Sequence, residues 1–507
     1  MNRLTEFAAR QQSTFDKSTT PSERKDRGHF GTPASVASFM SSLLTIKPNL
    51  RLVDAGAGVG ILSAAVADIL LQREGEFSLY VEAWENDPKL FGHLRATLAE
   101  CKKELGKNGH DMRFDIVAGD FILGSSTNDL FNAKPSPTFD VAIMNPPYFK
   151  LRKDSSQARM MEHVVHGQPN IYALFMAQAA ELLVDGGELV AITPRSYFNG
   201  SYFKKFRKWF FDTMTVRQIH TFETRNDVFQ KDAVLQENII LKAVKNAPKE
   251  DVILTASVGR AVIAPVEVSV PYGKVVDNSL GDHIIRVTTG HDERNFIDAI
   301  DRLPCRFNDL PFKISTGPVV TFRSTEFLRD DRDADTAPLL WMHNVRPFVT
   351  RFPPKNGKPT HIKVSDDSKK LLLPSKRYVL LKRFTAKEER RRLVAGIFTA
   401  NDSYSDFVGL ENHLNYVYSP KGEMTEAEAY GMAGYFNSAI IDRYFRAVSG
   451  NTQVNATEVR ALPTPDVATI RKIGEQLRYD ADEVDVVVGR ALGFTARQIE
   501  RIREHAE

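Results

Sequence analysis

Asn145-Pro146-Pro147-Tyr148 is the segment of this sequence with the most explicit chemistry. An exocyclic amine on a base is a poor nucleophile, because its lone pair is delocalised into the ring. Two acceptors aimed at its two hydrogens make that lone pair available. The Asn145 side-chain oxygen and the Pro146 carbonyl can supply them. The two prolines fix the turn and add no competing N–H. Tyr148 offers a flat face on which a base can stack. A site of this kind works by orientation and by stabilising charge on the nitrogen, and it requires neither a metal nor a strong base.

A donor for such an amine is suggested upstream. Leu52-Val53-Asp54-Ala55-Gly56-Ala57-Gly58-Val59-Gly60 follows an apolar run and opens a helical one. Its glycines let the backbone turn sharply and approach a ligand closely. The dinucleotide fingerprint is G-x-G-x-x-G. Here the third glycine comes one residue early, and Asp54 ends the strand. A pyrophosphate would be repelled by Asp54, whereas a cationic sulfonium with an ammonium group would not. Glu85, in Trp84-Glu85-Asn86-Asp87-Pro88, can accept both ribose hydroxyls of a nucleoside, although Asp87-Pro88 also reads as a simple helix start. Asp120, in Gly119-Asp120-Phe121, can accept from an adenine amine while Phe121 packs on that ring.

These segments need a scaffold that brings them together. Residues 50–54, 78–84, 113–118, 139–144 and 187–193 read as strands, and residues 59–72 and 169–184 as helices. Such alternation predicts an α/β fold with a mostly parallel, Rossmann-like sheet covered on both faces. Ligands of such sheets sit at the carboxyl ends of the strands, where the motifs fall. Near residue 245 the pattern gives way to mixed strand signals, Pro-rich turns and basic clusters, with helices at 425–447 and 466–505. The expected division is therefore residues 1–245 and 246–507, the second part of mixed α+β character.

Composition excludes several classes. The chain has 507 residues, 42% hydrophobic and 26% charged, with a net charge of +3. That is the profile of a soluble globular protein. Two cysteines, Cys101 and Cys305, are too few for a disulfide framework or a thiolate metal site, which fits a reducing cytoplasm. No apolar run reaches the roughly 18 residues needed to cross a bilayer, and the first 30 residues lack the apolar core of a signal peptide.

With these motifs in order, the sequence resembles the amino-methyltransferases that use S-adenosylmethionine, specifically the N6-adenine DNA methyltransferases of restriction–modification systems. Gly28-His29-Phe30-Gly31-Thr32-Pro33, ahead of the Gly loop, is similar to the family's additional cofactor motif. From its own chemistry, Thr32 is also a good N-cap and Pro33 a good first helical residue. The motif order is that of the gamma class, TaqI-like, and residues 431–465 resemble the BsuBI/PstI subgroup. The resemblance implies S-adenosylmethionine as cofactor, contacted by Thr32, Asp54, Gly56, Gly58, Glu85, Asp120, Phe121 and Asn145. It implies a catalytic set of Asn145, Pro146, Tyr148 and Phe229, the last stacking opposite Tyr148 on a flipped adenine. It further implies a C-terminal DNA-recognition domain, double-stranded DNA as partner, a monomer in solution, a separate cognate restriction endonuclease and, from the subgroup alone, a CTGCAG site.

A target adenine must leave the duplex to be reached, at a cost of a few kcal/mol. Arg346, Arg351, Lys382, Arg383 and Arg390 to Arg392 are candidates for phosphate contacts, although Lys387 to Arg392 also reads as a charged helix. Asn and Gln residues around 412–415 and 451–455 could read base edges. An N4-cytosine methyltransferase faces the same amine problem. An RNA or protein-glutamine N-methyltransferase does too, so these alternatives stay open on the motif alone.

Overall fold

The computed structural model describes residues 3–20, 31–126, 138–199, 201–222, 238–257, 266–278, 281, 283–287, 291–353, 357–385, 391–448 and 453–504. Phe229, Gly28 to Phe30 and Lys387 to Arg390 lie outside the described residues. The chain divides into two compact units, Met1–Thr289 and Gly290–Glu507.

In the first unit the helices are α1 (Arg3–Ser18), α2 (Ala34–Ser42), α3 (Ile61–Leu70), α4 (Pro88–Lys107), α5 (Phe121–Ser126), α6 (Ser156–Met160), α7 (Ile171–Leu182) and α8 (Lys204–Thr213). The strands are β1 (Asn49–Ala55), β2 (Ser78–Glu85), β3 (Asp111–Ala118), β4 (Phe139–Met144), β5 (Leu183–Pro194), β6 (Met214–Phe222), β7 (Asn238–Lys245), β8 (Val252–Ser257) and β9 (Val266–Val270). They form one nine-stranded sheet in the order β3-β2-β1-β4-β5-β7-β6-β8-β9. The five expected strands are β1 to β5, and they pair in parallel. β7 runs antiparallel between β5 and β6. The unit does not end at residue 245, the last residue of β7. β8 and β9 extend the sheet, and the compact unit continues to Thr289.

Alternation along β1 explains the two cores. Leu50 and Leu52 pack with α2, α3 and α4, while Val53 and Ala55 pack on the other face with α7. Helix α7 is buried nearly all round, as its sequence IYALFMAQAAEL requires. Helix α1 docks through an unusual cap. The Asp68 carboxylate, on α3, accepts from the Leu4 and Thr5 backbone N–H groups at 3.0 and 2.8 Å and from the Thr5 hydroxyl at 2.7 Å. An acid from another helix thus satisfies the orphan donors of the α1 N-terminus.

The second unit holds a five-stranded sheet and a four-stranded sheet. The latter contains β10 (Lys313–Thr316), β11 (Tyr378–Lys382), β12 (Ala395–Phe398) and β13 (Leu414–Tyr418), in the order β10-β13-β11-β12. The helical region expected at 425–447 is broken at the buried Ser438, whose hydroxyl bonds to the Tyr435 carbonyl. Its first half, α9 (Glu426–Asn437), lies against α10 (Val467–Leu477) at backbone contact. A Cβ on Gly474 would sit 1.8 Å from the Ala427 carbonyl oxygen, and one on Gly431 would sit 1.9 Å from that of Ile470. Among the described residues no helix is long and apolar enough to cross a membrane.

That packing yields a test. Gly474→Ala must push the two helices apart, and overpacking of this kind costs about 1–3 kcal/mol or more. The expected result is a lower unfolding midpoint for the second unit; an unchanged midpoint would mean that the helices separate without cost.

Candidate active site

The strand order reverses between β1 and β4, and these two strands pair directly, with Asp54 opposite Ile143. The Gly loop leaves the end of β1, and Asn145 follows the end of β4. Gly56, Gly58 and Gly60 have φ of +74°, +58° and +83°, a left-handed run that L-residues with side chains resist. The loop is drawn to β2 by Gly56 and Ala57 N–H bonds to the Trp84 carbonyl, at 3.0 and 2.8 Å. A Cβ on Gly58 would meet nothing within 4 Å, so its backbone faces open space.

That space is a cavity of about 480 Å³, within the size range of small-molecule sites. Of the residues expected from the sequence, Thr32, Gly56, Gly58, Glu85, Asp120, Phe121 and Asn145 line it. Pro147 and Phe149 of the Asn-Pro-Pro-Tyr segment line it as well. Asp54, Pro146 and Tyr148 are not among the lining residues.

Glu85 is 5% exposed, and its carboxylate accepts from the backbone N–H groups of Gly58, Asn86 and Asp87, each at 2.8 Å. It joins the Gly loop to the start of α4. Three of a carboxylate's roughly four acceptor positions are then used, which leaves capacity for about one ribose hydroxyl. Asp120 accepts from Leu123 N–H at 3.0 Å and from Gln157 Nε2 at 2.8 Å. Phe121 meets Trp84 edge-on at 5.8 Å and Phe175 at 5.2 Å between centroids.

Asp54 is fully buried beneath the loop. One oxygen accepts from the Ser63 hydroxyl at 2.6 Å, and the other has no hydrogen-bond partner. Burial pushes its carboxyl up to about 6 from the ordinary 3.8; Ser63 opposes this and the nearby Glu85 charge adds to it. The expected attraction between Asp54 and a cation would therefore act through the loop, from below the cavity wall.

Thr32 was expected as an N-cap, but Pro33 occupies that position of α2, without a side-chain cap. The Thr32 hydroxyl is engaged elsewhere. It accepts from Asn145 Nδ2 at 3.0 Å, while Asn145 Oδ1 accepts from the Tyr148 hydroxyl at 2.7 Å. That hydroxyl also lies 3.0 Å from the Ile192 carbonyl oxygen. The segment is tethered beyond Tyr148 as well, by an Ile171 N–H bond to the Phe149 carbonyl at 3.0 Å. Tyr148 meets Tyr172 edge-on at 6.2 Å, and burial pushes its phenol well above the usual range.

The cavity also has walls that sequence reasoning missed. Gln12 and Phe15 come from α1, Trp84 from β2, Gln157 from α6, and Ile171 and Phe175 from α7. Trp84 is one residue before the predicted Glu85 and was legible in principle. Phe15 lies on the same apolar stripe as Leu4 and Ala8, but only the Asp68 cap brings that stripe here.

Comparison with known proteins gives this geometry a setting. The Eco57I restriction-modification methylase family matches residues 72–229. Over 487 residues, 95% of each chain, the protein is 34% identical to type II methyltransferase M.PstI of Providencia stuartii. It is 33% identical over 471 residues, 92% of each chain, to type II methyltransferase M.BsuBI of Bacillus subtilis. The chain belongs to the type II DNA methyltransferases of restriction–modification systems. In fold it is similar to the type IIL restriction-modification enzyme MmeI in complex with DNA, with a TM-score of 0.52, 11% identity, and coverage of 99% of this chain and 77% of that one. The cofactor of this type II methyltransferase is S-adenosylmethionine. The residues present fit it: the cavity is of suitable size, offers acceptors for a nucleoside at Glu85 and Asp120, and has an unpartnered carboxylate oxygen of Asp54 beneath the loop.

Two outcomes test this arrangement. The stability of protonated Asp54 is complete below about pH 4 and is lost as the pH rises through about 6. At pH 7.5 the fold then carries a buried charge costing about 3 kcal/mol. Asp54→Asn should raise stability in urea at pH 7.5, with the gain shrinking toward pH 4. It should also weaken binding of S-adenosylmethionine more than that of the uncharged thioether S-adenosylhomocysteine. Equal stability at pH 7.5 would count against the buried charge. Asp68→Ala leaves the α1 donors without their acceptor, a loss of about 1–3 kcal/mol. Limited proteolysis should then cut within α1, and cofactor affinity measured by calorimetry should fall as Gln12 and Phe15 leave the wall.

Proposed function

We propose that this methyltransferase transfers its methyl group to N6 of an adenine within a fixed site of double-stranded DNA. The observation that carries the reading is the anchored Asn145, held by Thr32 on one side and Tyr148 on the other, in the wall of the cofactor cavity. In this reading Oδ1, which accepts from the Tyr148 hydroxyl, also accepts one amine hydrogen of the target base. The Pro146 carbonyl takes the other hydrogen, and the amine lone pair is turned toward the methyl group.

Bound S-adenosylmethionine supplies an electrophilic methyl group on a cationic sulfur. The chain's own residues would hold and orient the amine, and stabilise the positive charge that develops on it as the nitrogen–carbon bond forms and the sulfur–carbon bond breaks, leaving the neutral thioether S-adenosylhomocysteine. The methylated nitrogen then gives up one hydrogen as a proton to water. A duplex hides adenine N6, so the base must leave the stack to reach Asn145. The Tyr148 ring supplies one face for it, and Phe229, outside the described residues, would supply the other. Asp54, Glu85, Asp120, Phe121, Gly56, Gly58 and Thr32 make up the cofactor side of the site. The enzyme acts as a monomer and protects its site from a separate restriction endonuclease, the site being CTGCAG if the subgroup resemblance extends to recognition.

Sequencing with methylation detection, on DNA from cells that express the chain, tests this directly. The expected product is N6-methyladenine at one fixed site; N4-methylcytosine, or no modified DNA base, would overturn the reading. Asn145→Ala should lower methyl transfer by at least about a hundredfold, a far larger effect than on cofactor affinity. Near-wild-type transfer by that variant would sink the mechanism.

A further inference from the structure

One end of the four-stranded sheet in the second unit gathers loops that are distant in sequence. Register places Thr316 of β10 opposite Asn415 of β13, Leu414 of β13 opposite Lys382 of β11, and Leu381 of β11 opposite Ala395 of β12. The chain leaving β10 and β11, and the chain entering β13, therefore meet at one end. Their backbones are laced together. Asn412 N–H donates to the Val319 carbonyl at 3.0 Å, and Arg383 N–H to that of His413 at 2.9 Å. Val454 N–H donates to the Arg383 carbonyl at 2.8 Å, which brings Gln453 beside Phe384.

The structure divides the Asn and Gln residues of these loops. Asn415 is fully buried, with its amide bonded to Thr316 and to the Val454 carbonyl. Asn455 caps a short helix through Glu458. Those two are structural. Asn412 and Gln453 are half-buried, and their side-chain amides have no hydrogen-bond partner among the described residues. Between them lie Phe384, 37% exposed, and His413, with ring centroids 5.2 Å apart. The buried Glu411 carboxylate holds His413 Nδ1 at 2.6 Å, which leaves Nε2 as the free ring nitrogen. Arg383 is tied to the Asn412 carbonyl at 3.1 Å.

The candidates for phosphate contacts divide in the same way. Arg392 is 3% exposed and bonds to the Thr385 carbonyl, and Arg391 pairs with Asp485. Both serve the fold. Lys382 and Arg383 stay at the rim of this sheet end, partly exposed.

Side chains with fixed backbones and unsatisfied amide edges have the form needed to read base edges. Asn412 and His413 precede β13, and Gln453 is bridged to Phe384 just after β11, the strand paired with β13. A major groove of about 12 Å admits a two-stranded ribbon of this width, whereas a minor groove of about 6 Å does not. We propose that this sheet end is the base-reading surface of the enzyme, with Asn412, Gln453 and His413 contacting base edges in the major groove. The proposal rests on the reading of the protein as a site-specific methyltransferase of double-stranded DNA, and it adds which residues set the site.

The test uses the full-length enzyme and short duplexes carrying its mapped site, alongside duplexes with each base pair of that site changed singly. Initial methylation rates on each give a discrimination ratio per position. A lost bidentate contact is worth about 1–3 kcal/mol, so Asn412→Ala or Gln453→Ala should lower the ratio about tenfold at one position. Cofactor affinity and the salt dependence of DNA binding should not change, whereas loss of a phosphate contact would weaken all duplexes alike. Asn412→Asp and Gln453→Glu keep the side-chain shape and give the same reading if an alanine variant fails to fold. If both positions retain the wild-type ratio throughout, this proposal falls alone. If the wild-type chain methylates no fixed duplex site, both readings fall.

Discussion

Where β1 and β4 lie side by side, two backbones leave the sheet from neighbouring strand ends, and everything chemical in the first unit depends on that adjacency. The strands on the β1 side run out to β3, and those on the β4 side run to β9. The crossover from β1 runs through α3 to β2 and the one from β4 through α7 to β5, in opposite directions along the sheet, so a cleft opens between them. The Gly loop forms one wall and the Asn145 turn the other. On the proposed reading, a methyl donor and a methyl acceptor can share the cleft because the two turns are a strand spacing apart. The left-handed glycines keep the first wall thin, and Pro147 forms part of the second.

Asp54 and Asn145 show two ways of preparing such a cleft. Asp54 is a charge set beneath the floor, raised in pKa by its burial and left with one oxygen unpartnered. It costs folding energy, and a cation above the loop relieves it. Asn145 is neutral and fully organised, with donor and acceptor ends each committed to a neighbour. On the proposed reading, the first device favours the charge type of the cofactor. The second fixes a geometry, and the energy for it comes from Thr32 and Tyr148, which bind no methyl group themselves. This division explains why the Thr32 hydroxyl is spent on Asn145 while α2 starts without a side-chain cap.

The parts of this site that were legible in the sequence are local ones. A Gly-rich turn, an acid at a strand end and an Asn-Pro-Pro-Tyr turn each carry their chemistry within a few residues, and β1 to β5 show period and length. What was not legible depends on distant partners. Phe15 and Gln12 become cavity wall only because Asp68 receives the N-terminus of α1. The sheet extends past residue 245 because β8 pairs with β6, an event that no pattern within Val252–Ser257 announces. Asn412 and Asn415 look alike in sequence and differ wholly in place, since strand β13 begins between them and turns only the second inward.

If the sheet end reads bases as proposed, the second unit meets a constraint opposite to that of the first. A residue that reads sequence must leave its hydrogen-bonding edge unsatisfied in the free protein and yet not move. Unsatisfied edges are tolerable only near solvent, and immobility comes only from packing. A sheet end reconciles the two demands, because the strands fix the backbone up to the last paired residue and the side chain just beyond it faces water. Asn412 stands two residues before Leu414, the first residue of β13, with its own N–H already bonded to Val319. His413 is oriented by a carboxylate buried behind it. Substitution at these positions changes which edges are offered without disturbing the strands that offer them. Recognition can then vary while the β1–β4 cleft, on a separate core, keeps its geometry.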